Sequence, residues 1–530
     1  MNQQPFDPNQ YPTQNAVPPV YDPSTDPMLN PGLTQTSPRF VSRKTRLITM
    51  SIVVVLIIAL IASAVYYVYT LTTKTTVNQN SVSALCPKDT KLSWWVPDVS
   101  YMDQSAFKDI IETFKKKNAK FNLNIEIVNR KYDPYNYYND ILTSMAKDAS
   151  PDLFAVRNDD LPAYHEFAAP LLSFDATAID NYKRNFVDIV GAETVFNDQL
   201  YGVTTYVDNL QMYYNKQILD QNKIAKPAES WADIVAQTKL LTKQKAGQGF
   251  DQSTVALGLG TTVVRDAGID KVQQNILDSQ DIIPTLVAQY GGVIYDQPTN
   301  TVGFQFDKSS SRADSPFTKA IKFYYSFADD RQSGDTYNWD RFQGNSLDEF
   351  AQNRLVYMFG YKELDAKINA KRQGLDYKIA PIPQQIPSQK RTAGRYFMTM
   401  VSRKLAPFET TTPTGKVATG KRACAEGFMA YLASVEAQTL YANATQMPAA
   451  HRDVIKKQIQ GNQNDRIFAE GALYAVSYYK PDVLAVERVW NEMMEKIAAN
   501  YGFDKAVGEA SSAYNSIVGA GPKPRVRQEP

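Results

Sequence analysis

Tyrosine and tryptophan standing beside carboxylates and amides are the residues of this chain best suited to chemistry. Asp98 follows Trp95 by three positions, Asn158 and Asp159 are adjacent, Tyr206 precedes Asp208 and Asn209, and Trp339 and Tyr361 lie further on. Indole and phenol rings stack on the C–H faces of sugars, and a carboxylate or amide matches pairs of hydroxyl groups. Trp95, Tyr206, Trp339 and Tyr361 are therefore candidate stacking faces. Asp98, Asn158, Asp159, Asp208 and Asn209 are candidate hydroxyl partners. Each also has a plain reading. Trp94 and Trp95 are neighbours on a strand, so they point to opposite faces and at most one of them reaches a cleft. Asn158 and Asp159 also suit a turn, and Trp339 suits a loop anchor.

Other chemistries fit poorly. Gly415 to Arg422 approximates a phosphate-binding loop, but Arg422 replaces the hydroxyl residue that would hold magnesium. Ser144…Lys147 and Ser477…Lys480 match Ser-x-x-Lys without the companion motifs of such acyl-transfer enzymes. His165 and His451 have no metal-ligand spacing. We therefore expect no cofactor, no metal and no catalysis. A hydrolase with paired carboxylates stands as the alternative, because their separation in space is not readable here. A formal net charge of +2 gives no electrostatic argument for nucleic acid.

The elements that must hold these residues are those of a large globular protein with a membrane segment. At 530 residues, 43% hydrophobic and 21% charged, the chain suits two or three folding units. Leu47 to Tyr69 carries no charge and is long enough to span a hydrocarbon core of about 30 Å. Arg39, Arg43, Lys44 and Arg46 precede it, which predicts a cytoplasmic N-terminus and an extracellular C-terminal domain. The apolar run is too long for a cleaved signal peptide. Residues 1–46, rich in Pro, Asn and Gln, read as a disordered tail, 47–70 as the transmembrane anchor and 71–90 as a linker. Outside the membrane, Cys86 and Cys424 would form either one disulfide closing a very long loop or two separate thiols.

Beyond the linker, Lys91 to Val96 has strand character. Phe107, Ile110, Ile111 and Phe114 mark an amphipathic helix, and Phe121 to Val128 alternates as a half-buried strand. This order is a βαβ unit and predicts a parallel sheet with packed helices. Ser230 caps a helix from Trp231 to about Leu241, and Ile269 to Gln289 reads as a long helical stretch. In such sheets ligands bind beyond the carboxyl ends of parallel strands, where Trp95 to Asp98 and Arg157 to Asp160 stand.

Several short signatures occur in a telling order. Pro151-Asp152 leads an apolar strand, Tyr214-Asn215-Lys216 precedes Pro227…Ser230-Trp231, Phe350 to Gly360 joins a helix to a strand, and Met447-Pro448-Ala449 closes a helix pair. Together, from about Lys91 to Val518, they resemble the extracellular solute-binding proteins of ABC importers, in the maltose-binding type of that family. Asn353 departs from it, standing where a Gly is common. The resemblance implies an α/β, two-lobed periplasmic-binding-protein-like fold (type II) with a hinge. It implies lobes of 91–205 with 395–450 and of 206–394 with 451–520, followed by a short tail at 521–530. Asp98, Asn158 and Asp159 would then come from the first lobe, Tyr206 and Asp208 from the crossover, and Trp339 and Tyr361 from the second lobe. The implied partners are a sugar, two ABC permease subunits and a cytoplasmic ATPase.

Overall fold

The structure, a computed structural model, describes residues 85–523 apart from 148, 260, 267–268, 297–300, 304–314, 331–334 and 414. The chain divides into two units, Met1–Thr72 and Thr73–Pro530, and every described residue belongs to the second. The expected cytoplasmic tail, the membrane span and all of the linker before residue 85 lie outside the described residues, as does the end of the C-terminal tail. No helix among the described residues is long and apolar enough to cross a membrane.

Within the second unit the two largest sheets have separate cores. In the first lobe Lys91–Asp98 runs parallel to both Asn124–Lys131 and Leu153–Arg157. The connecting helix, Gln104–Lys117, is capped by Asp103 and buries Phe107, Ile110, Ile111 and Phe114 on one face. Phe397–Ser402 returns antiparallel to Leu153–Arg157, and Ala168–Ala169 and Gly202–Val203 pair with it. Trp94 packs into the core against Phe107 and Phe428, at centroid distances of 4.6 and 5.5 Å. Cys86 and Cys424 are joined in a disulfide across a sequence separation of 338. It staples the segment that precedes the first strand to the helix Gly420–Leu432, and such bridges typically contribute roughly 2–4 kcal/mol.

The main sheet of the second lobe has five strands in the order Lys243–Gln244, Phe250–Val255, Leu355–Gly360, Gln211–Asn215 and Tyr377–Ala380. Trp231–Leu241 is the helix expected from the sequence, and Ser230 and Asp233 close a reciprocal capping box at its start. The stretch Ile269 to Gln289 is not one helix. Ile269–Gln274 pairs antiparallel with Thr261–Asp266, and only Ser279–Gln289 is helical. Thr261–Asp266 and Ile269–Gln274 are rich in β-branched and polar residues, a composition suited to strands but without a clear period, so it reads poorly beside the apolar run that follows.

Between the lobes lies a small third sheet in which the chain crosses from one core to the other. Asp208–Asn209 pairs antiparallel with Thr392–Arg395, which runs parallel to Ala475–Val476. Val207 and Tyr396 belong to the first core, and Leu210 and Ala393 to the second. The helix Gln463–Ala472 serves both, with Ile467 and Phe468 facing the second core and Ala469 and Ala472 the first.

Candidate functional site

The first crossing is held by its own side chains. The Tyr206 hydroxyl accepts from the Phe397 amide at 3.1 Å, and the ring stacks on Tyr441 with centroids 6.0 Å apart. Asp208 accepts from the amides of Asn209 at 2.8 Å and Lys362 at 3.0 Å. Burial pushes its carboxyl up to about 6, against the nearby Arg395 charge and these amide bonds. Asn209 donates to the Phe468 carbonyl at 2.8 Å and accepts from Gln211. Gly471 is required at this contact, since a Cβ there would stand 2.0 Å from Asn209 Oδ1.

Beside this crossing, with Gly394 and Arg395 of the paired strand in its wall, is a cavity of about 300 Å³ reached by side chains of both lobes. The first lobe contributes Arg157, Asn158 and Asp159, which follow the end of the strand Leu153–Arg157. The second contributes Asp281, from the first turn of the helix Ser279–Gln289, and Tyr361, just past the strand Leu355–Gly360. Arg395, Ser477 and Lys480 enter from the crossing segments. The guanidinium of Arg157 grips Asp159 through two nitrogens. The buried Lys480 ammonium lies 3.4 Å from Asp159 and 3.7 Å from Asp281. Although burial opposes its charge, Tyr478, Asp159 and Asp281 hold it protonated above the ordinary lysine range. Tyr361 donates to Asp281 at 2.7 Å and carries Arg395 on its ring face at 3.6 Å. Arg395 is answered by Glu363 at 2.7 Å and Asp278 at 3.6 Å.

Behind Asn158 sits Glu193, which accepts from Asn158 at 3.1 Å, from the Tyr396 hydroxyl at 2.7 Å and from Ser477. Burial raises it to about 7 despite these donors. One carboxylate thus ties a first-lobe site residue to two of the three crossing segments.

The expected site residues therefore divide. Asn158, Asp159 and Tyr361 line the cavity. Tyr206, Asp208 and Asn209 do not line it; they form the first crossing, with their polar atoms committed to backbone and side-chain partners. Trp95, expected as a stacking face, is buried and covered by Arg130 at 3.8 Å. Trp339 likewise is no platform; it is fully buried in the second core, and its amide donates to the Phe327 carbonyl at 3.0 Å. Asp98 is exposed at the end of its strand, and Ser100 and Tyr101 beyond it line a second cavity of about 520 Å³ with Lys362, Asp465 and Phe468. The acids there are taken up locally: Asp465 pairs with Lys362 at 2.5 Å, and Asp365 accepts from Tyr377.

Arg157, Glu193, Asp281, Arg395 and Lys480 escaped the sequence reading. Arg157 was within sight, in the same loop as Asn158. Lys480 closes the Ser477…Lys480 pair, noticed as an enzyme motif and set aside; its serine and lysine instead reach two different carboxylates, Glu193 and Asp159.

The sequence profile of bacterial extracellular solute-binding proteins matches residues 109–469. No curated protein sequence matches the chain. Among solved structures, the sugar-binding protein MalE of the phytopathogen Xanthomonas citri superposes with a TM-score of 0.60 at 16% identity, over 81% of this chain and 98% of that one. A cyclic α-maltosyl-1,6-maltose binding protein of Arthrobacter globiformis gives 0.59 at 14%, over 82% and 100%. An ABC transporter solute-binding protein of Thermotoga lettingae bound with α-D-tagatose gives 0.57 at 15%, over 81% and 100%. Likeness at such identities is likeness of fold: two α/β lobes with a crossing between them.

Proposed function

Because the chain belongs to the bacterial extracellular solute-binding proteins, we propose that it is the binding component of an ABC importer and captures a carbohydrate between its lobes. The observation that carries this reading is the meeting of Asn158 and Asp159 from one lobe with Asp281 and Tyr361 from the other, above Arg395 and Lys480 on the crossing segments. Hydroxyl groups are donors and acceptors at once, and suit a wall that offers carboxylates, an amide and cations together. The sugars named with the similar structures agree with this class.

In this reading Asn158, Asp159 and Tyr361 contact the solute. Tyr206, Asp208 and Asn209 keep the hinge in shape. Trp95 and Trp339 act only as packing, and Asp98 stands at the outer edge. The lobes open and close about the crossing sheet, and the solute favours closure by the difference in its affinity for the two states. Capture followed by release suits micromolar binding, about −8 kcal/mol. The apolar run at 47–70 tethers the domain to the outer face of a membrane, where permease subunits with their ATPase receive the solute.

The test is a thermal-shift screen of the full chain against neutral sugars, amino acids and polyamines, followed by small-angle scattering on the hits. A sugar should raise the melting temperature and shrink the radius of gyration. Stabilisation by an amino acid or polyamine with no sugar response would overturn the substrate class. Release of cleaved sugar would overturn binding without chemistry.

A further inference from the structure

We propose that the cavity selects an uncharged sugar of one or two rings, and that Lys480 sets this selectivity by neutralising Asp159 and Asp281 together. The inference rests on the carbohydrate reading above and narrows it.

Asp159 is gripped by Arg157, and Asp281 receives the Tyr361 hydroxyl. Lys480 stands between them at 3.4 and 3.7 Å, longer than the roughly 2.7–2.9 Å of a tight charge-assisted bond. It therefore serves both carboxylates and closes fully on neither. The group formed by Arg157, Lys480, Asp159 and Asp281 sums to zero charge. Of the other charged residues on the wall, Arg395 is met by Glu363 and Asp278, and Arg391 is exposed, where water screens it. A sugar acid entering this wall meets Asp159 and Asp281, and an amino sugar meets Arg157 and Lys480. Either gains from one sign only by disturbing a pair that is already made. A hydroxyl instead donates to a carboxylate and accepts from the ammonium, so it gains from both.

Size points the same way. A volume of about 300 Å³ is at the lower end for small-molecule pockets and holds roughly ten waters. That is the bulk of one or two sugar rings, short of a longer oligosaccharide.

Titration calorimetry on the full chain tests both parts. The probes are matched trios built on glucose, galactose and mannose, each as the neutral sugar, the uronate and the 2-amino sugar, together with maltose and maltotetraose. In the trio that binds, the neutral member should be tighter than either charged one by about tenfold or more. Lys480→Met makes the group net negative and should move the amino sugar up by about tenfold relative to its neutral parent. Asp281→Asn makes it net positive and should move the uronate up instead, while Lys480→Arg keeps the original order. A misfolded variant cannot produce swings of opposite sign. A charged sugar that equals or beats its neutral parent in the unaltered protein would overturn the inference. So would maltotetraose binding more tightly than maltose, or the Met and Asn variants weakening all three members alike. If no sugar binds at all, the carbohydrate reading itself falls.

Discussion

The first strand of the crossing sheet, Asp208–Asn209, is itself polar, whereas the last, Ala475–Val476, is apolar and leads into polar residues, and the two sets of side chains turn in opposite directions. Around Asp208–Asn209 every polar side chain turns inward, to amides at 362 and 209 and to the Phe468 carbonyl. Past Ala475–Val476, Ser477 and Lys480 turn toward the cavity and the first lobe. The cause is what covers each strand. The helix Gln463–Ala472 presses on the first crossing so closely that only glycine fits at 471, and buried polar atoms there must find partners within the protein. The last crossing leads instead into the helix Val483–Ala498, capped by Asp482, and borders open space. A polar residue in a crossing thus turns into the protein or toward the cavity according to its cover.

Replacing Asp208 with Ala should have the largest effect. It strands the amides of Lys362 and Asn209 without their acceptor and removes a negative charge near Arg395, which costs roughly 3–4 kcal/mol. Thermal unfolding should show a drop of several degrees. Loss of solute affinity with unchanged stability would move Asp208 from the hinge to the binding side of the comparison.

Proton linkage should separate the two crossings. Asp208 is raised to about 6 and Glu193, bonded to Ser477, to about 7. Between the unfolded and folded values the native state holds the extra proton, so each group weakens the fold as pH rises through its folded value. Stability should therefore decline from about pH 4 to pH 7. Glu193→Gln should remove the part of the decline that ends near pH 7, worth roughly 3 kcal/mol, and leave the part that ends near pH 6. Chemical unfolding across this pH range checks it, and an unchanged profile in the variant would mean that Glu193 does not titrate there.

Trp339→Phe should lower stability by about 1–2 kcal/mol through the volume it vacates, with solute affinity unchanged by calorimetry. A weakened affinity would restore Trp339 to the site. Tyr361→Phe should have the smallest effect. It removes the 2.7 Å bond to Asp281 and keeps the ring under Arg395, lowering affinity by about 1 kcal/mol, or roughly fivefold.

Much of the scaffold was legible because its signals are local. The i, i+3, i+4, i+7 spacing of Phe107 to Phe114 and the cap at Ser230 each act within one helix, and both helices form where the residues place them. Ile269 to Gln289 was misread because a hairpin and a helix adjoin there. Asn158, Asp159 and Tyr361 could be named from residue type and position at strand ends. Trp95 and Trp339 could not be separated from them, since an indole has the same chemistry whether a core or a cleft claims it.

By itself the amino-acid order determined the helices, the parallel strands and the uncharged run at 47–70, because periodicity, capping and hydropathy are properties of neighbours in the chain. Which polar groups share a wall was decided only by the tertiary fold. Asp159, Asp281 and Lys480 lie far apart in sequence, and meet because the chain crosses three times between its cores. Whether a carboxylate is buried, paired or open to a solute depends on the atoms around it, and those come from distant segments.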